Sequence, residues 1–374
     1  MKYLIITLIF TVTPAITLAQ SALDEILWLL ATHQTEQLPE ALAAYATADY
    51  ESAYQQMTSP QRSEQMAFAS RFKTYALINQ KNYERIRSEL ASSGSHTFIP
   101  ETYEFYVEHP QVSANLSGET TLPVNNTRFS AVLGRDTLTV LLDTGGSGVG
   151  INQEWVEAYN MPTDTTIATY GSLPFINNAQ FTKHPVVIPE LSIGSMTIKN
   201  LPAEYSVFDE ENQQKVDAVD LPEFDIIMGL DTFIGLIGEV EFNWIDDTIT
   251  FRDTPTLTDG KPFLFYSSKP FTAFEVGGEY LTTVIDTGSP SDMIRKVFYT
   301  DNYTEAEEKT WGDYTYTEYT VPIATGIGPD LDLKIGSYTG ELDLVISDVP
   351  IELLIGFQHN RMTFNLEQNV MMVE

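Results

Sequence analysis

The chain has no cysteine, which removes disulfide staples and thiolate metal sites from consideration. Histidine is scarce too: the five present are scattered, with no two at metal-ligand spacing. Basic residues are few, 20 Lys and Arg against 52 Asp and Glu, and the resulting net charge of -32 makes nucleic acid and anionic lipid surfaces poor partners. Past the first 20 residues no apolar run is long enough to cross a bilayer. Glycine is missing from residues 21–93 and first appears at Gly94, so the front of the chain lacks the punctuation of a strand-and-turn region.

What is present points to a folded, strand-rich protein. Hydrophobic residues make up 43% of the 374 and charged ones only 19%, with 19 Tyr and 20 Phe. That length favours two or three domains. The opening MKYLIITLIFTVTPAITLAQ carries one Lys, an apolar stretch and small residues before Ala19, which reads as a secretory signal spanning 1–19 and cleaved after Ala19. With no cysteine, the expected location is periplasmic or secreted, in a bacterial envelope; the sequons at Asn115, Asn125 and Asn302 matter only for a eukaryotic source. No membrane span is expected after cleavage, and a monomer is expected.

From Ser21 to Gly94 apolar and aromatic residues recur every three or four positions, with breaks at Pro39 and Ser59-Pro60, so residues 20–100 are expected to form an α-helical domain. After Pro100 the texture turns to alternation, placing Tyr103, Phe105 and Val107 on one side of an expected strand. The seven acids between Asp209 and Asp225, accompanied only by Lys215, read as a solvated loop.

The β-rich part repeats itself. LTVLLDTGGSG surrounds Asp143 and LTTVIDTGSPS surrounds Asp286, and nine residues before each Asp stands a glycine, Gly134 or Gly277. Further on, Gly194 pairs with Gly336, and Ile227-Met228-Gly229 with Leu354-Ile355-Gly356. Finally EFNWIDDTITF at 241–251 matches TFNLEQNVMMV at 363–373. A unit of over 100 residues is too long for a solenoid repeat and implies two homologous β lobes related by a pseudo-twofold axis. The expected organisation is a first β lobe at 101–253, a linker at 254–261 and a second β lobe at 262–374.

Each Asp ends a buried-looking strand, Leu138 to Leu142 or Leu281 to Ile285, and precedes a glycine that allows a sharp turn. If the axis passes between the two loops, Asp143 and Asp286 face one another across a single water. Like charges that close do not both ionise readily, so the pair would share one proton. The ionised member would then take a proton from water while the protonated one polarises a peptide carbonyl. Such chemistry needs no metal and no organic cofactor.

The double Asp-Thr-Gly with both apolar-apolar-Gly motifs resembles the aspartic proteases, pepsin-like and retropepsin-like. The short lobes and DIIMGLD at 225–231 look closer to bacterial retropepsin-like domains joined in tandem in one chain. The resemblance implies a mainly β, bilobal endopeptidase with catalytic Asp143 and Asp286 and an extended polypeptide substrate. It also implies that Thr144 and Thr287 hydrogen-bond across the lobes, that Gly145 and Gly288 shape the loops, and that Gly229 and Gly356 sit against them. Two flaps are implied as well, with Tyr170-Gly171 in the first and Trp311-Gly312 in the second. The pattern departs from pepsin-like enzymes at Gly146, where a hydroxyl residue is usual, whereas the second loop keeps Ser289; a hydroxyl donor there would make Asp286 the more acidic member. Pro290, and Gln358 opposite Asp231, depart further.

An alternative use of the same fold is a catalytically inactive peptide- or protein-binding module. Plain strand-to-turn corners of a duplicated β domain are a blander alternative for the two loops. Ser147 has neither a GxSxG frame nor a partner His, which argues against a serine hydrolase. The helical domain reads either as a docking module for a protein partner or as a pro-segment that blocks the cleft. Its Tyr and Ala pattern suits the first role; its six basic and two acidic residues between Arg62 and Arg87, which stand out in an acidic chain, suit the second, and a charged outer helix face is the plain alternative.

Overall fold

The computed structural model describes residues 23, 26–32, 34–57, 76–93, 100–173, 176, 179–218, 223–266, 268–276, 279–288, 292–295, 305–311, 314–322, 341–347, 353–355 and 361–373. The signal-peptide reading of 1–19 therefore lies outside the described residues, as do Ser289, Gly312, Gly356 and Gln358. The fold is mainly β, with helices concentrated before residue 108. Among the described residues no helix is long and apolar enough to cross a membrane, and no His, Asp and Glu cluster is arranged to hold a metal ion.

Helices of this first region include α1 (Glu40–Ala46), α2 (Tyr50–Met57), α3 (Tyr83–Ser93) and α4 (Pro100–Val107). In α1 and α2 the buried side chains Ala41, Leu42, Tyr45, Tyr50, Ala53 and Met57 fall at helical spacing, and the Tyr45 and Tyr50 rings meet edge to face at 5.1 Å. Helix α4 replaces the strand expected around Tyr103, Phe105 and Val107. Proline at its first position and Glu101 in its first turn are helix-start features, and the buried face runs through Thr102 and Phe105 rather than along alternate residues.

The strands that follow are β1 (Ser113–Asn115), β2 (Glu119–Pro123), β3 (Arg128–Leu133), β4 (Asp136–Leu142), β5 (Val149–Ile151), β6 (Thr169–Leu173), β7 (Ala179–Ile193), β8 (Met196–Val207), β9 (Ile226–Met228), β10 (Glu239–Asn243) and β11 (Thr248–Arg252). Helix α5 (Gln153–Ala158) follows β5, and helix α6 (Glu210–Asp217) follows β8. The solvated loop expected from Asp209 onward is thus partly helical: Asp209 caps α6 by accepting the Asn212 amide at 2.8 Å, and acids in the first turn suit the helix dipole. At the other end of that segment, Asp225 accepts the Trp155 indole N–H at 2.8 Å and the Thr139 amide at 2.7 Å.

The remaining strands are β12 (Lys261–Pro262), β13 (Leu264–Tyr266), β14 (Lys269–Val276), β15 (Glu279–Ile285), β16 (Asp292–Arg295), β17 (Glu305–Trp311), β18 (Tyr314–Pro322), β19 (Glu341–Ser347), β20 (Leu353–Ile355), β21 (Arg361–Asn365) and β22 (Val370–Val373). They assemble, with the earlier ones, into three sheets. One runs β1-β8-β5-β9-β4-β3-β7-β6 and another β13-β14-β15-β20-β16-β19-β18-β17. The core order β8-β5-β9-β4-β3 of the first is matched by β19-β16-β20-β15-β14 of the second. In each, the strand that ends at an Asp pairs in parallel with the strand of the apolar motif: Leu142 lies opposite Met228, and Ile285 opposite Ile355.

The third sheet, β12-β22-β21-β10-β11-β2, is where the repeated tails meet. Hairpins β10–β11 and β21–β22 join through an antiparallel pairing that sets Val240 opposite Phe364 and Phe242 opposite Met362. Their inward faces bury Val240, Phe242, Ile249, Phe251 and Phe364, and the Phe263 and Phe364 rings pack edge to face at 5.5 Å. The segment expected as a linker is pinned to this sheet. Fully buried Glu239 accepts the amides of Thr256 and Leu257 at 2.8 and 2.7 Å, the Thr256 hydroxyl at 2.8 Å and the Arg252 guanidinium at 2.6 Å.

Burial alone would raise the Glu239 pKa, but the donors from Leu257, Thr256 and Arg252 outweigh it and hold the group below the ordinary glutamate value. Glu239→Gln leaves one acceptor oxygen where there were two, so a donor nitrogen must face either the two amides or the Arg252 guanidinium, and we expect a loss of about 2 kcal/mol in urea unfolding at neutral pH. A depressed folded pKa contributes stability above the unfolded pKa. The gap between wild type and variant should therefore close as the pH falls through the acidic folded value.

Candidate active site

Asp143 and Asp286 are carried to one place by two short parallel pairings. In β4 the alternate residues Leu138, Val140 and Leu142 are buried, which fixes the strand's face and leaves Asp143 at its end. The Asp143 amide then donates to the Met228 carbonyl at 2.9 Å, extending the β4–β9 ladder into the loop. On the other side Leu281 to Ile285 are buried throughout and deliver Asp286 in the same way.

The two loops interlock reciprocally. The Thr144 amide donates to the Thr287 hydroxyl at 3.1 Å, and the Thr287 amide to the Thr144 hydroxyl at 2.9 Å. Each hydroxyl in turn donates across the junction, Thr144 to the Ile285 carbonyl at 2.7 Å and Thr287 to the Leu142 carbonyl at 3.0 Å. Both threonines are buried, so four bonds formed away from water fix the separation of the strand ends.

The two aspartates above this junction are 6% and 3% exposed, and their carboxyl groups lie within hydrogen-bonding reach of one another. Burial pushes the Asp143 carboxyl well above the ordinary aspartate value, and the charge of Asp286 and the hydrogen bond to it add to the rise. Lys269 and the backbone amide of Gly145 pull the other way. Each acid also accepts an amide from its own loop at 3.0 Å, Gly146 to Asp143 and Gly288 to Asp286. The glycines supply the room: a methyl group at Gly145 would overlap the Asp286 carboxyl, and one at Gly288 would overlap that of Asp143.

The Gly229 amide donates to the Gly148 carbonyl of the first loop at 2.7 Å. Its counterpart Gly356 and the hydroxyl residue Ser289 lie outside the described residues. Tyr170 and Gly171 belong to the β6–β7 hairpin, opposite Thr182 and Phe181. They stand within strand β6 rather than at a turn. Tyr170 is 86% exposed, and Gly171 leaves space that the Phe181 ring fills. Trp311 closes β17 opposite Tyr314 of β18, with Gly312 between them outside the described residues. No described contact joins either hairpin to the two acids.

Of the basic residues that marked the helical region, three are described, and their partners lie elsewhere. Arg85 pairs with Glu51 at 2.8 Å, Arg87 with Glu104 at 3.9 Å, and Lys81 donates to the Asp231 carbonyl at 3.1 Å. In the sequence Asp231 stands out as the end of DIIMGLD and as the mismatch with Gln358. Its own role, holding the Gly148 amide at 2.9 Å, has no local sequence signature beyond its place two residues after Gly229.

Residues 130–232 match the family model described as aspartyl protease. That segment holds Asp143 and the Ile227-Met228-Gly229 motif and ends before Asp286. No curated protein matches the chain. Among solved structures, 123 chains match. One is the crystal structure of a retropepsin-like aspartic protease from Rickettsia conorii, at 16% identity and a TM-score of 0.26, covering 38% of this chain and 96% of that one.

Proposed function

We propose that the chain is an aspartic endopeptidase in which Asp143 and Asp286 act as one dyad. The observation that carries this reading is their convergence: two buried acids from distant strands, within hydrogen-bonding reach, above a reciprocal threonine lock. Nothing about packing requires two buried acids to face each other, and the arrangement works against stability unless they share a proton. With Asp143 favouring the protonated form, Asp286 serves as the base that takes a proton from water. Asp143 donates to the carbonyl oxygen of the scissile peptide. The tetrahedral intermediate then collapses as the nitrogen is protonated, without a covalent adduct.

In this reading the two eight-stranded sheets are the cores of two lobes related by a pseudo-twofold axis, preceded by an N-terminal helical domain. The β6–β7 and β17–β18 hairpins, which carry Tyr170 and Trp311, cover the cleft. The substrate is an extended polypeptide held by backbone pairing along the cleft. The protein works as a monomer in a bacterial periplasm or outside the cell, after removal of residues 1–19.

The test is a peptide-library digest across acidic to neutral pH, with and without a pepstatin-type inhibitor, beside an Asp143→Ala control. Cleavage that the inhibitor blocks and the control lacks is the expected result. Peptide binding that survives in the control, with no cleavage by wild type at any pH, would instead identify a binding module.

A further inference from the structure

Asp231 is a third buried aspartate, 7% exposed, in the short 3-10 helix Leu230–Phe233. Its Oδ1 accepts the Gly148 amide at 2.9 Å, while the Gly148 carbonyl accepts the Gly229 amide at 2.7 Å and the Thr232 hydroxyl at 3.1 Å. These bonds tie the loop that carries Asp143 to the loop that carries Gly229. The Ser268 hydroxyl reaches the same carboxyl from the turn before β14. Burial raises the Asp231 pKa; the charge of Lys81, the Gly148 amide and the Ser268 hydroxyl oppose the rise.

Lys81 reaches this point from the helical region. It sits in the turn between helical residues 76–79 and α3, where its Nζ donates to the Asp231 carbonyl at 3.1 Å. Its φ is +52°, a left-handed conformation that glycine or asparagine adopts at lower cost. Although the residue is only part-buried, its ammonium end is desolvated, which lowers its pKa to about 8 against the pull of Asp231. A lysine strained in backbone and desolvated at its charge is a poor choice for a turn whose only task is to reverse the chain. Around it the turn is anchored: the Asn79 amide donates to the Tyr45 hydroxyl at 3.2 Å, and Tyr83 packs on Tyr106, whose hydroxyl donates to the Ala203 carbonyl at 2.7 Å.

We propose that Lys81 is a positioning residue for the Asp143 loop: it holds Asp231 in place from the helical region, and Asp231 holds Gly148. The helical region is then a fixed part of the working site rather than a removable pro-segment. The contact is independent of activity, but its catalytic consequence rests on the dyad reading above.

The experiment is amide hydrogen exchange on the full chain, with peptide cleavage measured alongside, for wild type, Lys81→Met, Lys81→Asn and Lys81→Arg. Lys81→Asn relieves the backbone strain, so it keeps the test open if Lys81→Met folds poorly. Both neutral variants should speed exchange at Gly148 and Gly229 about tenfold, as loss of one supported hydrogen bond would, while amides of the β10–β11 hairpin stay unchanged. Lys81→Arg should restore most of the protection. On peptides, kcat should fall about tenfold with KM within about twofold, the signature of a displaced catalytic group. Unchanged exchange at Gly148 in both neutral variants overturns the proposal, and so does a wild type in which Gly148 is unprotected. If wild type cleaves nothing while Lys81→Asn still exposes Gly148, the dyad reading fails and the positioning contact stands.

Discussion

Asp143→Asn and Asp286→Asn are each expected to lower kcat about ten-thousandfold or more, the scale seen when one member of a catalytic unit is removed. The fold is expected to survive both changes, because asparagine keeps the shape of the side chain and still accepts the loop amide from Gly146 or Gly288. Stability at neutral pH should hold or rise. Two buried carboxyls facing one another disfavour the doubly ionised pair, and replacing one of them removes that repulsion. The sign with pH follows from Asp143, whose folded pKa is raised by burial and by Asp286. A raised carboxyl contributes stability below its unfolded pKa, and that contribution is lost as the pH rises towards the folded value. Wild type should therefore weaken relative to Asp143→Asn from about pH 4 upward. Thermal unfolding at several pH values, beside kcat on the best peptide substrate, reads both effects. Wild-type turnover in either variant would refute the dyad, and a stability gap that shrinks with rising pH would refute the raised carboxyl.

The sequence was most informative where covalent order and spatial order coincide. Each Asp-Thr-Gly follows a strand with a buried apolar face, so Asp143 and Asp286 can be read as strand-end acids from hydrophobic pattern alone. The repeated tails at 241–251 and 363–373 correspond to like hairpins, β10–β11 and β21–β22. The less legible features depend on contacts between segments far apart in the chain. Lys81 and Asp231 are 150 residues apart, and Tyr50 and Asn369 are 319 apart, yet both pairs dock the helical region onto the β body. Nothing local in either partner announces the other. Helix α4 misled for a different reason: aromatic residues at alternate positions imitate a strand, and only the register of Thr102 and Phe105 against the body decides between the two periods. For the three described basic residues of the helical region, Lys81, Arg85 and Arg87, the charge is visible in sequence, but the acceptors Asp231, Glu51 and Glu104 are not.

Gly145→Ala and Gly288→Ala should each lower kcat about a hundredfold, although neither glycine carries a functional group. A Cβ on Gly145 would stand less than 3.0 Å from all three terminal atoms of Asp286, and one on Gly288 less than 3.0 Å from those of Asp143. Neither carboxyl is the loose end of a flexible side chain. Each is buried, each holds an amide of its own loop at 3.0 Å, and each loop is fixed by the threonine lock beneath it. The added methyl must therefore push the carboxyls apart or part the loops. Displacing a reacting group by about 1 Å costs roughly a hundredfold in rate, and overpacking a tight site costs about 1–3 kcal/mol of stability. Gly146 provides the internal comparison: a Cβ there would lie 3.1 Å from the Asp143 carbonyl and 3.3 Å from its Oδ2, a crowding that a shift of a few tenths of an ångström relieves. Gly146→Ala should then retain far more activity than Gly145→Ala, although the two positions are adjacent. Kinetics and thermal unfolding of the three alanine variants decide the matter. Equal loss at Gly145 and Gly146, or full activity in Gly145→Ala, would mean that the two acids do not meet across these glycines in solution.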